Sequence, residues 1–182
     1  MYRELIAKLK KRGVEFTTGL TCQEIANMEK QYQISFPTEI QKLYSIELPI
    51  SHGFYNWKDF NKENVGFIKC QLRRPFEDLK EYVDEIDWCE DWEKEPDARD
   101  ERNKLLIEKI NMAPRLFPVY SHRYIACLDS ESNPVFSIHG TDIIYYGENL
   151  LSYFEIEFGY KEYSEIKMEN IITVPFWSDL VQ

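Results

Sequence analysis

Phe117-Pro-Val-Tyr120, Tyr124-Ile-Ala-Cys-Leu128, Val135-Phe-Ser-Ile138 and Ile143-Ile-Tyr-Tyr146 are four short runs rich in β-branched and aromatic residues. The connections carry turn residues: Ser121-His122, Asp129 to Pro134, and His139-Gly140-Thr141-Asp142. Short runs joined by tight turns predict an antiparallel meander. Working outward, the chain before the meander has helical periodicity. Tyr2, Leu5, Ile6 and Leu9 recur at i, i+3, i+4, i+7, so an amphipathic helix opens the chain and Gly13 can end it. Thr21-Cys22-Gln23-Glu24 is a capping box, with Leu20 and Ile25 placed as its hydrophobic staple. Ile25, Met28 and Tyr32 line the inner side of that second helix. Pro37 suits the first turn of a third, with Ile40, Leu43 and Tyr44 inward, ending before Leu48-Pro49.

Between these helices and the meander, Leu48 to Phe60 reads as an ordered loop. Val65 to Leu72 alternates, with Ile68, Cys70 and Leu72 on one side, and predicts a strand. From Pro75 a long acidic helix is expected, then a second from about Asp97 to Met112, separated by Pro96. Beyond the meander, Leu151, Phe154 and Phe158 mark a closing helix, and Ile171 to Trp177 an extended apolar tail that docks back on the sheet. Helices first and a meander later indicate an α+β fold. The expected architecture is one domain over residues 1–182: N-terminal helices packed on an antiparallel β-meander, an acidic helical insert over about 75–112, and a closing C-terminal helix.

The net charge of −10 is concentrated. Thirteen of the 32 acids, but only Lys80, Lys94 and Arg99 of the 22 Lys and Arg residues, lie between Glu77 and Glu101, which leaves nineteen of each sign elsewhere. Such a field repels nucleic acid and anionic membranes and attracts basic proteins. The one dense basic cluster, Lys8, Lys10, Lys11 and Arg12, has no accompanying aromatic platform. No segment approaches the roughly 18–20 uninterrupted apolar residues of a membrane span, and the charged N-terminus is unlike a signal peptide. A soluble, cytoplasmic protein is expected. Cys22, Cys70, Cys89 and Cys127 show no zinc or redox spacing, and read as reduced, buried thiols.

The order of motifs resembles the SMI1/KNR4 family of the SUKH superfamily. The matching segments are Leu20-Thr21-x-x-Glu24-Ile25, Phe36-Pro37-x-x-Ile40-x-x-Leu43-Tyr44, Leu48-Pro49 leading into Gly53-Phe54-x-Asn56-Trp57-x-Asp59, Pro118-Val119-Tyr120-x-His122-Arg123-Tyr124, and Asn133-Pro134-Val135-Phe136-Ser137-Ile138-His139-Gly140-Thr141-Asp142-Ile143-Ile144-Tyr145-Tyr146-Gly147. They run over most of the chain. The sequence departs from the pattern at Ser45-Ile46-Glu47, where many members have an Asn-Gly-Gly-like turn, and the acidic insert lies outside the matches. The resemblance implies a non-catalytic protein-binding module. Bacterial members are commonly immunity proteins that neutralise polymorphic toxins, often nucleases, while fungal relatives are regulatory scaffolds in cell-wall signalling.

For the insert, a helical projection at 100° per residue puts Phe76, Leu79, Val83 and Ile86 on one face and Trp88 and Trp92 opposite, beside Glu77, Glu81 and Glu85. The candidate protein-binding residues are therefore Glu81, Glu85, Asp87, Trp88, Glu90, Asp91, Trp92 and Glu93: carboxylates that steer a basic partner, and a tryptophan pair as its anchor. The competing reading packs both rings under a neighbouring element. His122, His139 and Asp142 are residue types that serve metal-dependent hydrolysis or acid–base chemistry. They lack a third ligand at metal-like spacing, and no Ser or Cys stands in a nucleophile elbow, so a turn-shaping role for His139 and Asp142 is favoured. Phe54, Tyr55 and Trp57 read as core. No cofactor, metal site or catalytic residue is expected.

Overall fold

The structure, a computed structural model, describes residues 1–182. It is an α+β fold with six helices and two antiparallel sheets. Helices α1 (Tyr2–Lys11), α2 (Cys22–Tyr32) and α3 (Thr38–Tyr44) follow the predicted stripes, and Tyr2, Leu5, Ile6, Leu9, Ile25, Met28, Tyr32, Ile40, Leu43 and Tyr44 are all buried. The Thr21–Glu24 capping box forms: Thr21 Oγ1 accepts from the Glu24 amide, and Glu24 Oε2 accepts from the Thr21 amide at 2.7 Å. Pro37 stands one position earlier than expected, as the cap before α3.

The loop after α3 opens with strand structure. β1 (Phe16–Thr18) pairs antiparallel with β2 (Glu47–Pro49), too short a ladder to leave a periodic signature. The remainder of Leu48–Phe60 is irregular and ordered around its aromatics. Trp57 is fully buried, stacked on Phe117 at 4.6 Å with Tyr32 and Phe36 edge-on.

Val65 to Leu72 is not a strand. It lies inside α4 (Lys62–Glu81), a 20-residue helix capped by Asn61, whose side chain accepts from the Asn64 amide. The buried positions Ile68, Leu72, Pro75 and Leu79 are spaced four, three and four, the helical period. Cys70 is exposed, so the apparent alternation was coincidental. Pro75 sits within the helix rather than starting one, and leaves the Gln71 carbonyl without its usual i+4 donor.

The predicted acidic helix ends at Glu81. A 3-10 turn at Val83–Glu85 follows, then irregular chain to α5 (Arg99–Met112). Continuing the helix would stack Glu81 over Glu85 and Asp87 over Asp91, like charges at i,i+4. Val83, Asp84, Ile86, Asp87, Trp88 and Cys89 are also modest helix formers.

Strands β3 (Leu116–Tyr120), β4 (Arg123–Ala126), β5 (Val135–His139) and β6 (Asp142–Gly147) form the meander in the order β3-β4-β5-β6, with a bulge between Pro118 and Tyr120. Both faces are buried. Phe117, Val119, Ile125 and Val135 enter the larger core with the N-terminal helices, the loop aromatics and α6 (Leu150–Glu157). Leu116, Tyr124, Ala126, Phe136, Ile138 and Ile143 enter a second core with Leu79, Val83, Ile86, Leu106, Ile110, Val174, Phe176 and Trp177. The acidic insert is thus the cover of the second sheet face. The tail docks there as expected, and the Trp177 indole donates to the Pro114 carbonyl at 2.8 Å.

Glu39 joins α3 to the far side of the fold. Its carboxyl is 2% exposed and accepts from the amides of Asn133 at 2.8 Å and Leu150 at 3.2 Å. Burial pushes its pKa up to about 7, against the lowering effect of these two N–H groups.

Candidate functional site

The segment from Glu81 to Glu93 hangs between α4 and α5, and Arg102 of α5 is its main fastening. The guanidinium donates to the carbonyls of Val83 and Ile86, pairs with Glu95 at 2.5 Å, and faces the Trp88 ring at 6.0 Å. Arg99 forms a fork with both Asp84 oxygens, and Asn103 adds a third donor. These bonds hold the Asp84 carboxyl down to about 2. Lys109 pairs with Glu93 at 2.7 Å and covers the Trp92 ring at 4.8 Å, and its bond keeps the Glu93 pKa below the usual range.

Trp88 and Trp92 do not project from a helix. Both are half-buried against the second core, edge to face with each other at 5.4 Å, and Trp92 lies parallel to Phe176 at 6.1 Å. Their indole N–H groups are occupied: Trp88 donates to the Glu93 carbonyl at 2.7 Å, Trp92 to Asp179 Oδ2 at 2.8 Å. The rings pack beneath neighbouring elements, as the competing reading had it, because large aromatics contribute more by covering apolar surface than by facing water. Glu81, Glu85, Asp87, Glu90, Asp91 and Glu93 are all exposed, and only Glu93 is in an ion pair.

A cleft of about 270 Å³ opens beside these acids, and Glu85, Asp87 and Asp179 line it over apolar Leu79 and Ile86. Carboxylates around an apolar floor match the long side chains of Lys and Arg, which bury a stem and keep a charged head at the rim. Asp179 was not legible as part of this site. It comes from the tail, 87 residues beyond the Trp92 it bonds, and no local pattern marks it.

Three of the four basic residues in the N-terminal cluster are committed within the fold. Lys8 pairs with Glu155, Lys10 with Glu47, and Arg12 lies over the Tyr160 ring. All four cysteines are free; Cys22 and Cys70 are exposed rather than buried, and burial pushes the Cys127 thiol up to about 12.

His122 and His139 come together, with ring centroids 6.3 Å apart, because the His122 carbonyl accepts from the Ile138 amide where β4 meets β5. Asp142 opposes His139 across the turn with its side chain exposed; the turn itself rests on Gly140 at φ +63°. No three His, Cys, Asp or Glu side chains are gathered as metal ligands. No helix is long and apolar enough to cross a membrane.

Fold and site together define a domain whose two-faced sheet is covered on one side by a fastened acidic segment. No protein-family model, curated protein or solved structure matches the chain.

Proposed function

We propose that this chain is a non-catalytic protein-binding module that presents its acidic segment to a basic protein, and that it acts in the cytoplasm as an immunity protein neutralising a toxin domain. One observation carries the reading. Glu81, Glu85, Asp87, Glu90 and Asp91 are exposed and unpaired on a segment whose other charges are used to fasten it. A prearranged set of free carboxylates costs little ordering entropy when a partner docks, and its field steers oppositely charged molecules.

The cleft between Leu79–Asp87 and Asp179 receives a Lys or Arg of the partner. In this arrangement Trp88 and Trp92 position the carboxylates from below and do not insert into the partner. The toxin-directed role rests on the resemblance of the sequence motifs to those of the SMI1/KNR4 family, whose bacterial members are commonly immunity proteins against polymorphic toxins, often nucleases.

Co-purification with the product of the adjacent gene tests the proposal. A stable complex that inhibits a toxic activity of that product is the expected result. A solitary gene, with capture only of an endogenous signalling protein, replaces immunity with the regulatory reading. Turnover of a small molecule that is lost on replacing His139 or Asp142 overturns both.

A further inference from the structure

A second cleft, sharing no residue with the acidic site, gathers all three histidines of the chain. His52, His122 and His139 line one depression of about 560 Å³, together with Arg74 of α4. In a chain of net charge −10, none of its thirteen lining residues is Asp or Glu. Part of the remaining wall is aromatic: Phe54, Tyr55 and Phe67, which is 50% exposed and stacked on Tyr55 at 5.7 Å.

The cleft is held in shape from below. Tyr55 donates its hydroxyl to the Ser121 carbonyl at 2.5 Å, and the Ser121 amide donates to the Gly53 carbonyl at 2.8 Å. Gly53 has φ +93°, and a Cβ there would lie 2.4 Å from the Tyr120 ring, so the loop carrying His52 sits against β3 without a side chain between them. Arg123, itself fixed by Glu157 and Ser137, donates to His122 Nε2. The other ring nitrogen, Nδ1, lies 3.3 Å from Ser121 Oγ. Burial first, then the neighbouring Arg123, His139 and Arg74, lower the His122 pKa. Arg74 approaches Asp78 Oδ2 through Nε at 3.5 Å, and its side chain lines the cleft.

We propose that this cleft is a binding site for a small organic anion, a phosphate or carboxylate carried on a planar apolar ring. Arg74 supplies the charge and a two-pronged donor, His52 and His139 supply further ring N–H groups, and Phe67 stacks on the ring of the ligand. The volume lies within the roughly 300–1,000 Å³ of small-molecule sites.

Three histidines make the test direct, because the protein gives only three histidine Cε1–H correlations by NMR. Titration with phenyl phosphate or benzoate at fixed ionic strength is expected to shift the His122 and His139 signals saturably, while phenol does not. Arg74 is exposed on α4, so Arg74→Gln is expected to fold normally and to weaken phenyl phosphate binding about tenfold or more, through the loss of a charged hydrogen bond. The proposal is overturned if the histidine signals stay fixed at millimolar probe, if phenol moves them equally, or if both Arg74→Gln and His139→Gln leave the affinity unchanged. Inorganic phosphate binding as tightly as phenyl phosphate overturns the role of the aromatic wall.

Discussion

The indole N–H of Trp92 donates to Asp179 Oδ2 at 2.8 Å, tying the acidic segment to the C-terminal tail. The pair sits beside the cleft that Asp179 lines with Glu85 and Asp87, so one carboxylate both anchors the segment and contributes to its charge. Asp179→Ala should cost about 0.5–1.5 kcal/mol of stability. It should also speed amide hydrogen exchange over residues 88–98 while leaving β4 and β5 protected. Unchanged exchange there would show that the tail does not hold the segment.

Arg102 makes the larger contribution. Its side chain is 16% exposed and serves two backbone carbonyls and Glu95. Arg102→Met keeps the apolar stem but leaves the Val83 and Ile86 carbonyls short of a donor, with an expected loss of about 2–3 kcal/mol in urea unfolding. Partner binding should weaken through faster dissociation, because the carboxylates keep their charge but lose their arrangement. A variant with wild-type stability would remove Arg102 from this role.

Neutralising the free acids should do the opposite. The combined replacements Glu81→Gln, Glu85→Gln, Glu90→Gln and Asp91→Asn leave every fastening bond in place. Stopped-flow mixing with the cognate partner should show association slowed by about 10-fold or more at low salt, converging with the wild type at high salt. Equal rates at low salt would mean that these charges do not steer.

Glu39 gives a pH signature. Its folded pKa, about 7, lies above the ordinary carboxyl value of 4.5, so the folded state holds a proton that the unfolded chain has released. The associated stability is fully present below pH 4.5 and is lost as pH rises through 7. On an order-of-magnitude basis this window is worth about 3 kcal/mol. Glu39→Gln turns an amide NH2 toward one of the two backbone donors, so it should be less stable at acidic pH, yet lack the decline between pH 5 and 8. Parallel wild-type and variant slopes in urea unfolding across that range would refute the assignment.

Trp177 tests whether the second core is a separate cover. It is fully buried, with its indole bonded to Pro114 and its ring edge-on to Phe76 at 5.2 Å. Trp177→Ala should cost about 3–5 kcal/mol. The loss of protection should appear first in residues 83–98 and the tail, with α1 to α3 retaining theirs. Uniform loss of protection across both cores would show that the two faces of the sheet unfold as one unit.

Several features were legible because their causes lie within one turn or one hairpin. The Thr21–Glu24 box needs only four residues, the stripe of α1 only eight, and the meander turns sit between adjacent runs. Val65 to Leu72 misled because Ile68, Cys70 and Leu72 alternate over five positions, while the helical spacing emerges only when Pro75 and Leu79 are included. The acidic segment misled for a related reason. A projection assumes that the helix continues, and like charges four apart with poor helix formers end it at Glu81.

By itself, the amino-acid sequence determined the α+β class, the inward faces of α1 to α3, the four meander strands and the concentration of charge between Glu77 and Glu101, since each follows from local spacing or composition. Only the tertiary structure decided which carboxylates remain free, that Trp88 and Trp92 turn inward, and that His52, His122 and His139 share one cleft. Those outcomes depend on which surfaces meet when a sheet buried on both faces is closed by segments far apart in the chain, and no local period encodes that meeting.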